Sequence, residues 1–398
     1  MKSLRVITLV LAVACGLTVA NLYYAQPLLD LIARSLGVSQ GTATVVVTLT
    51  QIGYAIGIVF LPPMGDLIEN RTLVTRVLIG TAVALLITAS APSFAVFAAA
   101  SVLVGVTSVV AQILVPLAAH LAPADERGKF VGRVMSGLLL GILLARTASS
   151  LLADWLGWRS IYYVSAALMV VLVFVLRSVL PPRKPDHTTG YRTLLVSVGT
   201  LVREEPVLRA RAACQACMFG AFTAFWTAIA YELIDEHGLS QAGIAVFALV
   251  GAGGAAAAPL GGWLGDHGHG RSGAAVMLAL AAAMGLLAGL GHGSLLLLAI
   301  AGVLLDLSVQ CHQVMGQQEI YSLRADARAR INTVYMTMVF TGGAIASAVT
   351  GVLHDAYGWT GACWLVVGLP LVGLLIWSFT LRPSQAPNRQ TQEAQLVA

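Results

Sequence analysis

Residues 294–323 read SLLLLAIAGVLLDLSVQCHQVMGQQEIYSL, and this stretch decides the fold class of the chain. A helix of about twenty apolar residues crosses the roughly 30 Å hydrocarbon core of a bilayer, and the stretch is long enough to do so. Asp306 lies near its middle, after Val303, Leu304 and Leu305. An ionised aspartate at the centre of a bilayer costs roughly 2.5–3.5 kcal/mol. The stretch therefore predicts a transmembrane helix whose carboxylate has a function or a partner.

The rest of the chain repeats this apolar pattern. Of its 398 residues, 58% are hydrophobic and only 10% are charged, whereas roughly a quarter of a soluble domain is charged. The sequence therefore predicts an all-α membrane protein with many spans. The net charge of +5 does not indicate nucleic-acid binding, because the basic residues lie in short loops. The Cys214–Cys217 spacing lacks a second pair, so we expect neither a disulfide framework nor a metal site.

Hydropathy predicts about twelve transmembrane helices in two groups of six, separated by one long polar connection. We predict an N-terminal half over 1–176, a cytoplasmic connection over 177–211, a C-terminal half over 212–381 and a disordered cytoplasmic tail over 382–398. The predicted spans lie near 6–32, 40–62, 73–90, 93–121, 131–153, 158–176, 212–235, 240–263, 273–291, 294–322, 332–353 and 360–381.

The distribution of basic residues predicts the orientation. With the N-terminus in the cytoplasm, all of the 23 lysines and arginines fall on the cytoplasmic side except Arg34, Arg146 and Arg159. Cytoplasmic loops of membrane proteins carry such an excess of basic residues. We therefore expect a multi-pass protein of the cytoplasmic (inner) cell membrane with both termini in the cytoplasm.

The two halves are related by an internal repeat. Short matching segments recur at a separation of 200 or 201 residues, namely 65–66 with 265–266, 123–127 with 324–328, and 154–158 with 355–359. Six spans restore the direction of the chain, so the repeat implies a pseudo-twofold axis along the membrane normal. Two such halves enclose a central cavity that rocking opens to either side. The repeat therefore predicts alternating access.

The loop PPMGDLIENRTLVTR (62–76) resembles a signature of the major facilitator superfamily, in particular of its twelve-helix drug/proton antiporter-like efflux group. Asp66 and Arg71 match the family's acidic and basic positions, whereas Glu69 and Asn70 replace its usual glycine and first basic residue. The resemblance covers nearly the whole chain. The repeat copy of the loop, GGWLGDHGHGR, keeps Gly262, Asp266 and Arg271.

Two helices follow the family pattern only in part. The stretch GLLLGILLARTASSLLADWLGWR (137–159) resembles the glycine-rich fifth helix of antiporters, but Ile142 replaces the usual proline. In the fourth helix, Ser101 stands where the family often has an arginine associated with proton coupling. The resemblance implies a major facilitator fold in which helices 1, 4, 7 and 10 line the cavity. If protons drive transport, another group must carry them.

Polar residues form a stripe on the predicted tenth helix. At 100° per residue, one face of this helix holds Asp306, Gln310, Gln313, Gln317 and Tyr321. The repeat maps the stripe onto a face of the fourth helix that contains Gln112. We expect both stripes to line the cavity. The alternative is that the glutamines only hydrogen-bond neighbouring helices, an interaction worth about 1 kcal/mol each.

Asp306 and Arg146 are the candidates for proton coupling. Both are charged residues inside predicted spans, at depths that differ by only about 6 Å. We hypothesise that they pair in one state and that protonation of Asp306 or substrate binding breaks the pair. The alternatives are a fixed ion pair between the halves and an Arg146 side chain that extends to the outer interface.

Aromatic and amide side chains are the candidates for the substrate-binding cavity. They lie on the predicted first, fourth, seventh and tenth helices, and Pro27 is expected to kink the first. Aromatic walls with a few amides suit a small amphiphilic molecule, although packing is the alternative role for an aromatic stripe. The predicted cavity residues are Asn21, Tyr24, Gln26, Gln112, Phe219, Phe222, Trp226, Gln310, Gln313 and Gln317.

Charged residues of the cytoplasmic loops are the candidates for gating. In the family, the loop aspartate faces a helix N-terminus, where an anion is favourable, and closes the inner gate. An ordinary solvated carboxylate is the alternative. The predicted gating residues are Asp66, Arg71, Arg127, Asp266, Arg271 and Arg328. We interpret five further groups as solvated or interfacial, namely His120, His267, His269, His312 and Glu319.

The sequence and the resemblance together predict a secondary active transporter, with proton-coupled efflux of small amphiphilic organic molecules. The expected partners are the substrate, protons and the lipid bilayer, without nucleic acid, and we expect a monomer without a cofactor. An enzyme is not expected, because the sequence shows no clustered metal ligands and no nucleophile–base pattern. The alternatives are an uncoupled facilitator and an importer of a sugar or amino-acid derivative. A transporter-like sensor would need a larger soluble domain.

Overall fold

The computed structural model describes residues 4–121, 127–182, 190–251, 257–324 and 327–380. The predicted tail over 382–398 and part of the predicted connection, 183–189, lie outside these residues. The side chains of Asp66 and Arg127 also lie outside the described set. Helices and turns account for the described residues, and no β-strand occurs among them. The all-α prediction is confirmed.

Six crossings form the N-terminal half. The first and fourth are interrupted, and a one-turn helix precedes the main part of the second. In chain order, the helices are α1 (Leu4–Ala20), α2 (Leu29–Leu36), α3 (Gln40–Ala43), α4 (Val45–Phe60), α5 (Asn70–Ala89), α6 (Phe94–Thr107), α7 (Val110–Leu121), α8 (Arg127–Leu156) and α9 (Ser160–Val179).

The C-terminal half follows a short amphipathic helix and contains another six crossings. Two of them belong to one long helix that changes direction inside. The helices are α10 (Tyr191–Glu204), α11 (Pro206–Asp235), α12 (Gln241–Ala248), α13 (Ala257–Asp266), α14 (Gly270–Leu290), α15 (Leu295–Leu323) and α16 (Arg328–Thr380). We call the side of the protein that carries α10 the α10 face, and the other side the distal face.

The count of crossings agrees with the twelve that hydropathy predicts. Nine helices of the described residues are long and apolar enough to cross a membrane. The longest, α16, supplies two crossings because its backbone leaves the helical region at Gly358 (φ 58°, ψ −144°). Two shorter apolar helices begin at Leu4 and Gln241, and each continues into a second segment of its crossing. The chain therefore has the twelve-helix fold with two six-helix halves.

Glycines with positive φ recur at equivalent chain reversals of the two halves. Gly37 (φ 68°) and Gly238 (φ 61°) occupy equivalent positions, as do Gly157 (φ 83°) and Gly358 (φ 58°). A residue with a Cβ is strained at such φ values. Each pair lies at a reversal between two crossings on the distal face. The repeat thus preserves the chain reversals as well as the apolar spans.

The first crossing is broken near the middle of the molecule, as the sequence predicts. Helix α1 ends at Ala20, and the chain then passes through turns to a 3₁₀ turn over Gln26–Leu28. Pro27 lies at the start of that turn and lacks the amide hydrogen that a continuous helix would use. The break places the side chains of Tyr23 and Gln26 against the centre of the protein.

Small residues bring α1 and α8 into close backbone contact. A Cβ at Gly137 would collide with the backbone of Ala12, and one at Gly141 would collide with the backbone of Gly16. The glycine-rich stretch of the predicted fifth helix therefore serves close packing, as small residues do between membrane helices. This packing brings Arg146, five residues after Gly141, to the interface between the two halves.

Candidate functional site at the interface of the two halves

Asp306 is buried on α15 and is bound by an indole. Its side chain is 5% exposed, and its Oδ1 accepts a hydrogen bond from Nε1 of Trp226 on α11 at 2.8 Å. A Cβ added at Gly251 would lie 3.1 Å from its Oδ2, so the chain after α12 closes over the carboxyl group. The carboxyl group thus lies in a tightly packed site with a neutral hydrogen-bond donor.

Arg146 enters the same site from the other half. Its Nε donates a hydrogen bond to Oε1 of Gln26 at 2.9 Å. The guanidinium carbon lies 5.2 Å from the ring centroid of Tyr23, 5.1 Å from that of Phe222 and 4.2 Å from that of Trp226. Cation–π contacts of this kind offset part of the cost of burying a cation. Nη2 is buried and has no hydrogen-bond partner.

Trp226 connects the two charged side chains. Arg146 lies over the indole ring, whereas Asp306 accepts the hydrogen bond from the indole nitrogen. Among the ion pairs of the described residues, none joins Arg146 directly to Asp306. The structure therefore brings the two candidates for proton coupling to one site but holds them apart. One cation and one carboxyl group stand at the interface of the halves.

An aromatic wall extends from this site toward the α10 face. Phe219 stacks on Phe222 with centroids 5.5 Å apart, and it also contacts Phe340 at 4.9 Å. Tyr54, from the N-terminal half, packs against Phe340 at 4.4 Å. Phe219, Phe222 and Trp226 were predicted to face the cavity. Phe340 and Tyr54 extend the wall, and sequence reasoning missed both.

The predicted polar residues of the first helix divide into two groups. Gln26 binds Arg146 and is fully buried. Asn21 instead faces α9, where its Oδ1 accepts a hydrogen bond from Ser165 at 2.7 Å. Tyr24 is also buried, and it is the adjacent Tyr23 that contacts Arg146. Two neighbouring tyrosines give no sequence signal for which one reaches the site, because the turns after Ala20 set their directions.

A chain of hydrogen bonds joins the polar stripes of the fourth and tenth crossings. The hydroxyl of Tyr321 donates to Oδ1 of Asn332 at 2.7 Å, and Nδ2 of Asn332 donates to Oε1 of Gln112 at 3.3 Å. Nε2 of Gln112 in turn donates to the hydroxyl of Tyr54 at 3.2 Å. Asn332, which lies near the start of α16, was missed by sequence reasoning. It connects the two halves.

The three glutamines of the predicted stripe on α15 are half-buried. These are Gln310, Gln313 and Gln317. Oε1 of Gln313 accepts a hydrogen bond from Gln215 at 3.5 Å. Within the described ranges, no group of three His, Cys, Asp or Glu side chains is placed to hold a metal ion.

Comparison with known proteins identifies the family. The family model of the Major Facilitator Superfamily matches residues 10–213 and again residues 211–397. The chain belongs to the major facilitator superfamily. The uncharacterized transporter YgaY of Escherichia coli O157:H7 is 41% identical over 379 residues, which cover 95% of this chain and 96% of YgaY.

A more distant relative is similar to this superfamily member in sequence, and a solved structure is similar to it in fold. The chloramphenicol resistance protein of Streptomyces lividans is 28% identical over 239 residues, which cover 59% of this chain and 60% of that protein. The crystal structure of a bacterial homolog of the human lysosomal transporter Spinster, inward-facing and occupied, has a TM-score of 0.75 at 14% identity. The match covers 98% of this chain and 100% of the Spinster homolog. It shows a similarity of fold.

A second charged cluster of this superfamily member lies inside the C-terminal half, where one prediction was wrong. His312, predicted to be interfacial, is fully buried, and its Nδ1 lies 2.5 Å from Oε1 of Gln215. Arg211 is also buried and pairs with Glu319. Helix α11 begins at Pro206, earlier than predicted. Gln215 of α11 packs against His312, so His312 lies inside the C-terminal half and not at the membrane interface.

Three of the predicted gating residues, Asp266, Arg271 and Arg328, have partners within their own half. Glu319 lies 3.5 Å from Arg271. Asp266 is exposed, and its Oδ1 accepts a hydrogen bond from Gln318 at 3.5 Å. Arg328 donates to the carbonyl of Tyr321 at 3.1 Å. Arg71 is half-buried. The side chains of Asp66 and Arg127 lie outside the described set, so the gating role stays a prediction.

The halves of the transporter fold are joined on the distal face by a contact that sequence reasoning missed. Asp355 accepts hydrogen bonds from the amide of Gly41 at 2.8 Å and from the hydroxyl of Ser39 at 3.1 Å. Both donors lie at the N-terminus of α3, where a carboxylate is favourable. A Cβ at Gly41 would collide with the Asp355 carboxylate. We call this contact the distal latch.

The repeat provides a second possible latch that is not formed. Ser39 and Gln40 correspond to Ser240 and Gln241, and Asp355 corresponds to Asp154, at a separation of 201 residues. Asp154 is exposed in the structure. Oε1 of Gln241 is buried without a hydrogen-bond partner. This repeated pattern was the available sequence signal for the distal latch.

Proposed function

We propose that this protein is a secondary active transporter that exports small amphiphilic organic molecules by alternating access and couples their movement to protons at Asp306. The observation that carries the proposal is the burial of this carboxyl group where the two halves meet. Its partner is the Trp226 indole, without a direct ion pair to Arg146. Arg146 is the second member of the coupling site.

The chemistry of the site supports proton coupling. A carboxylate inside a membrane is costly when it is ionised, and taking up a proton removes that cost. Trp226 and Gly251 approach Asp306 from α11 and from the chain after α12, so a relative movement of these segments changes its surroundings. Exchange of substrate for protons, as in the antiporters that the sequence resembles, and cotransport with protons both need such a group.

The contacts between the halves support alternating access. The distal latch joins the halves on one side, whereas Gln310, Gln313 and Gln317 are half-buried on the way to the α10 face. Opening the distal face requires that Asp355 leave the N-terminus of α3. The predicted loop charges, including Asp66 and Asp266, are the proposed gate of the α10 face.

The proposal of efflux rests on the name of a relative, and the proposed orientation in the membrane rests on the distribution of basic residues. A relative is named for chloramphenicol resistance, and export from the cell is one way to resist a small organic compound. The aromatic wall suits an amphiphilic substrate. The basic residues favour a cytoplasmic location of the α10 face, and we propose that both termini lie in the cytoplasm. We propose a monomer in the cytoplasmic membrane, with halves over 1–176 and 212–381, that performs no catalysis.

A flux assay in reconstituted vesicles tests the proposal. We expect uptake or release of substrates from a panel of drugs, sugars and amino acids to respond to an imposed pH gradient in the wild-type protein. Asp306→Asn should abolish this response. Glu232→Gln is the matched control, because Glu232 is also a buried acid of the C-terminal half, 3.3 Å from His292 and outside the site. Transport that does not respond to the pH gradient for any substrate of the panel would indicate an uncoupled facilitator and contradict the proposal.

A further inference from the structure

The Arg146 guanidinium has unused hydrogen-bonding capacity. The side chain is 2% exposed, one bond from Nε to Gln26 holds it, and Nη2 is buried without a partner. A buried donor without a partner costs about 1–3 kcal/mol. The rings of Tyr23, Phe222 and Trp226 stabilise the positive charge through their faces, but they do not accept hydrogen bonds in the plane of the guanidinium.

A carboxylate is the group that best satisfies such a guanidinium. The planar fork of arginine binds a carboxylate through two parallel hydrogen bonds. Asp306 does not fill this role in the structure, because its Oδ1 accepts from the Trp226 indole and no direct ion pair joins it to Arg146 among the described residues. The carboxylate that pairs with Arg146 is therefore available to come from a ligand.

The side chains around Arg146 indicate the size and polarity of the rest of the ligand. A cavity of about 10 Å³ beside it is lined by Pro27, Trp226, Ile229, Ile244 and Phe247, and this volume holds no more than about one water molecule. Binding of a larger molecule therefore requires the halves to separate at this point. The apolar lining and the adjacent aromatic wall match an apolar body attached to the carboxylate.

We propose that the substrate of this site is a small amphiphilic organic anion with one carboxylate, and that Arg146 binds the carboxylate while the aromatic wall binds the apolar body. The proposal rests on the transport function proposed above, and it names the substrate class. An organic cation fits less well, because it would place two positive charges beside one carboxyl group inside the membrane, and an uncompensated buried charge is costly.

Charge balance then gives the sign of coupling. Among the described residues, the titratable and charged groups that face one another in this site are Arg146, Asp306 and Tyr23. An ionised Asp306 balances Arg146 when the site is empty. When Asp306 takes a proton, the substrate carboxylate balances Arg146 instead. The proton on the Asp306 carboxyl and the anion therefore occupy the site together and leave it together, which is cotransport of the anion with a proton.

Binding to the purified protein tests the substrate class without a gradient. The probes are 4-phenylbutyrate, 4-phenylbutyramide and 4-phenylbutylamine, which share one apolar body and differ in the charge of the head group. By isothermal titration calorimetry, we expect the carboxylate to bind at least about tenfold more tightly than the amide, and the amine to bind most weakly. Asp306→Asn should tighten carboxylate binding about tenfold and leave amide binding unchanged.

Two arginine variants separate binding from folding. Arg146→Gln should remove the preference for the carboxylate, and Arg146→Lys, which keeps the charge but not the fork, should retain part of it. Arg159→Gln is the matched control, because Arg159 lies 4.2 Å from the Trp158 ring and donates to the carbonyls of Ala89 and Ala91, outside the site. It should keep the full preference.

Four results would overturn the inference. These are equal or tighter binding of the amine, no binding of the carboxylate, a carboxylate preference that survives Arg146→Gln, and weaker carboxylate binding in Asp306→Asn. The assay involves no transport, so its outcome is independent of the flux assay. A clear carboxylate preference without flux would contradict the transport function alone, and flux without the preference would contradict the substrate class alone.

Discussion

At the scale of single residues, one indole serves two charged groups that would otherwise be costly in a membrane. Trp226 gives its ring face to Arg146 at 4.2 Å and its N–H to Asp306 at 2.8 Å. The cation is stabilised by the ring quadrupole, and the carboxyl group by a hydrogen bond. Neither contact is a direct ion pair between Arg146 and Asp306. Either group can therefore change partners without breaking a salt bridge to the other.

The residues of this site differ in how far sequence could identify them. Asp306 and Arg146 stand out because a charge in an apolar span is costly, and Trp226 lies on the predicted aromatic stripe. Tyr23 could not be separated from Tyr24, because the turns after α1 decide which one faces the site. Asn332 lies close to the predicted start of its span, where a polar residue is ordinary, so nothing in the sequence marked its contact with Gln112.

At the scale of elements, the chain reversals are built on glycines that recur in both halves. Gly157 and Gly358 are equivalent and adopt φ values of 83° and 58°. Hydropathy placed the boundary between the last two spans at 354–359, and the structure turns there, because the helical backbone of α16 is interrupted at Gly358. The start of α11 was harder to predict, because the arginines of its first two turns are typical of a loop, although Arg211 is buried.

Gly358→Ala tests the importance of that reversal. We expect a loss of about 1–2 kcal/mol, because a Cβ is strained at this backbone geometry, seen as a lower melting temperature by circular dichroism in detergent. Gly368→Ala is the control on the same helix, since no heavy atom lies within 4 Å of the added Cβ. It should be neutral or stabilising by up to about 1 kcal/mol. Equal melting temperatures for the two variants would contradict the role of Gly358.

At the scale of the whole molecule, the two halves are held together unequally by equivalent residues. Asp355 binds the N-terminus of α3, whereas its counterpart Asp154 is exposed. The internal repeat made the two halves and their axis predictable from sequence. Which of the two equivalent latches forms depends on how the halves pack in this conformation, and a repeat gives no information about that difference.

Asp355→Ala should shift the protein toward opening on the distal face. Loss of the Asp355 carboxylate from the N-terminus of α3 costs about 1 kcal/mol, which corresponds to about a fivefold change in the balance between closed and open forms. Spin labels at Trp155→Cys and Leu290→Cys, both exposed and in different halves, report the change as a larger share of long distances. Asp154→Ala should leave the distribution unchanged. An identical shift in both variants would show that the latch is not specific.

The central claim is that Asp306 gains and loses a proton during transport, and infrared difference spectroscopy of the reconstituted protein tests it most directly. Addition of the carboxylate probe to the wild-type protein should produce a band of a protonated carboxylic acid. The band should be absent from Asp306→Asn and present in Glu232→Gln. A wild-type spectrum without any change in the protonated-carboxyl region, or the same band in Asp306→Asn, would contradict the account.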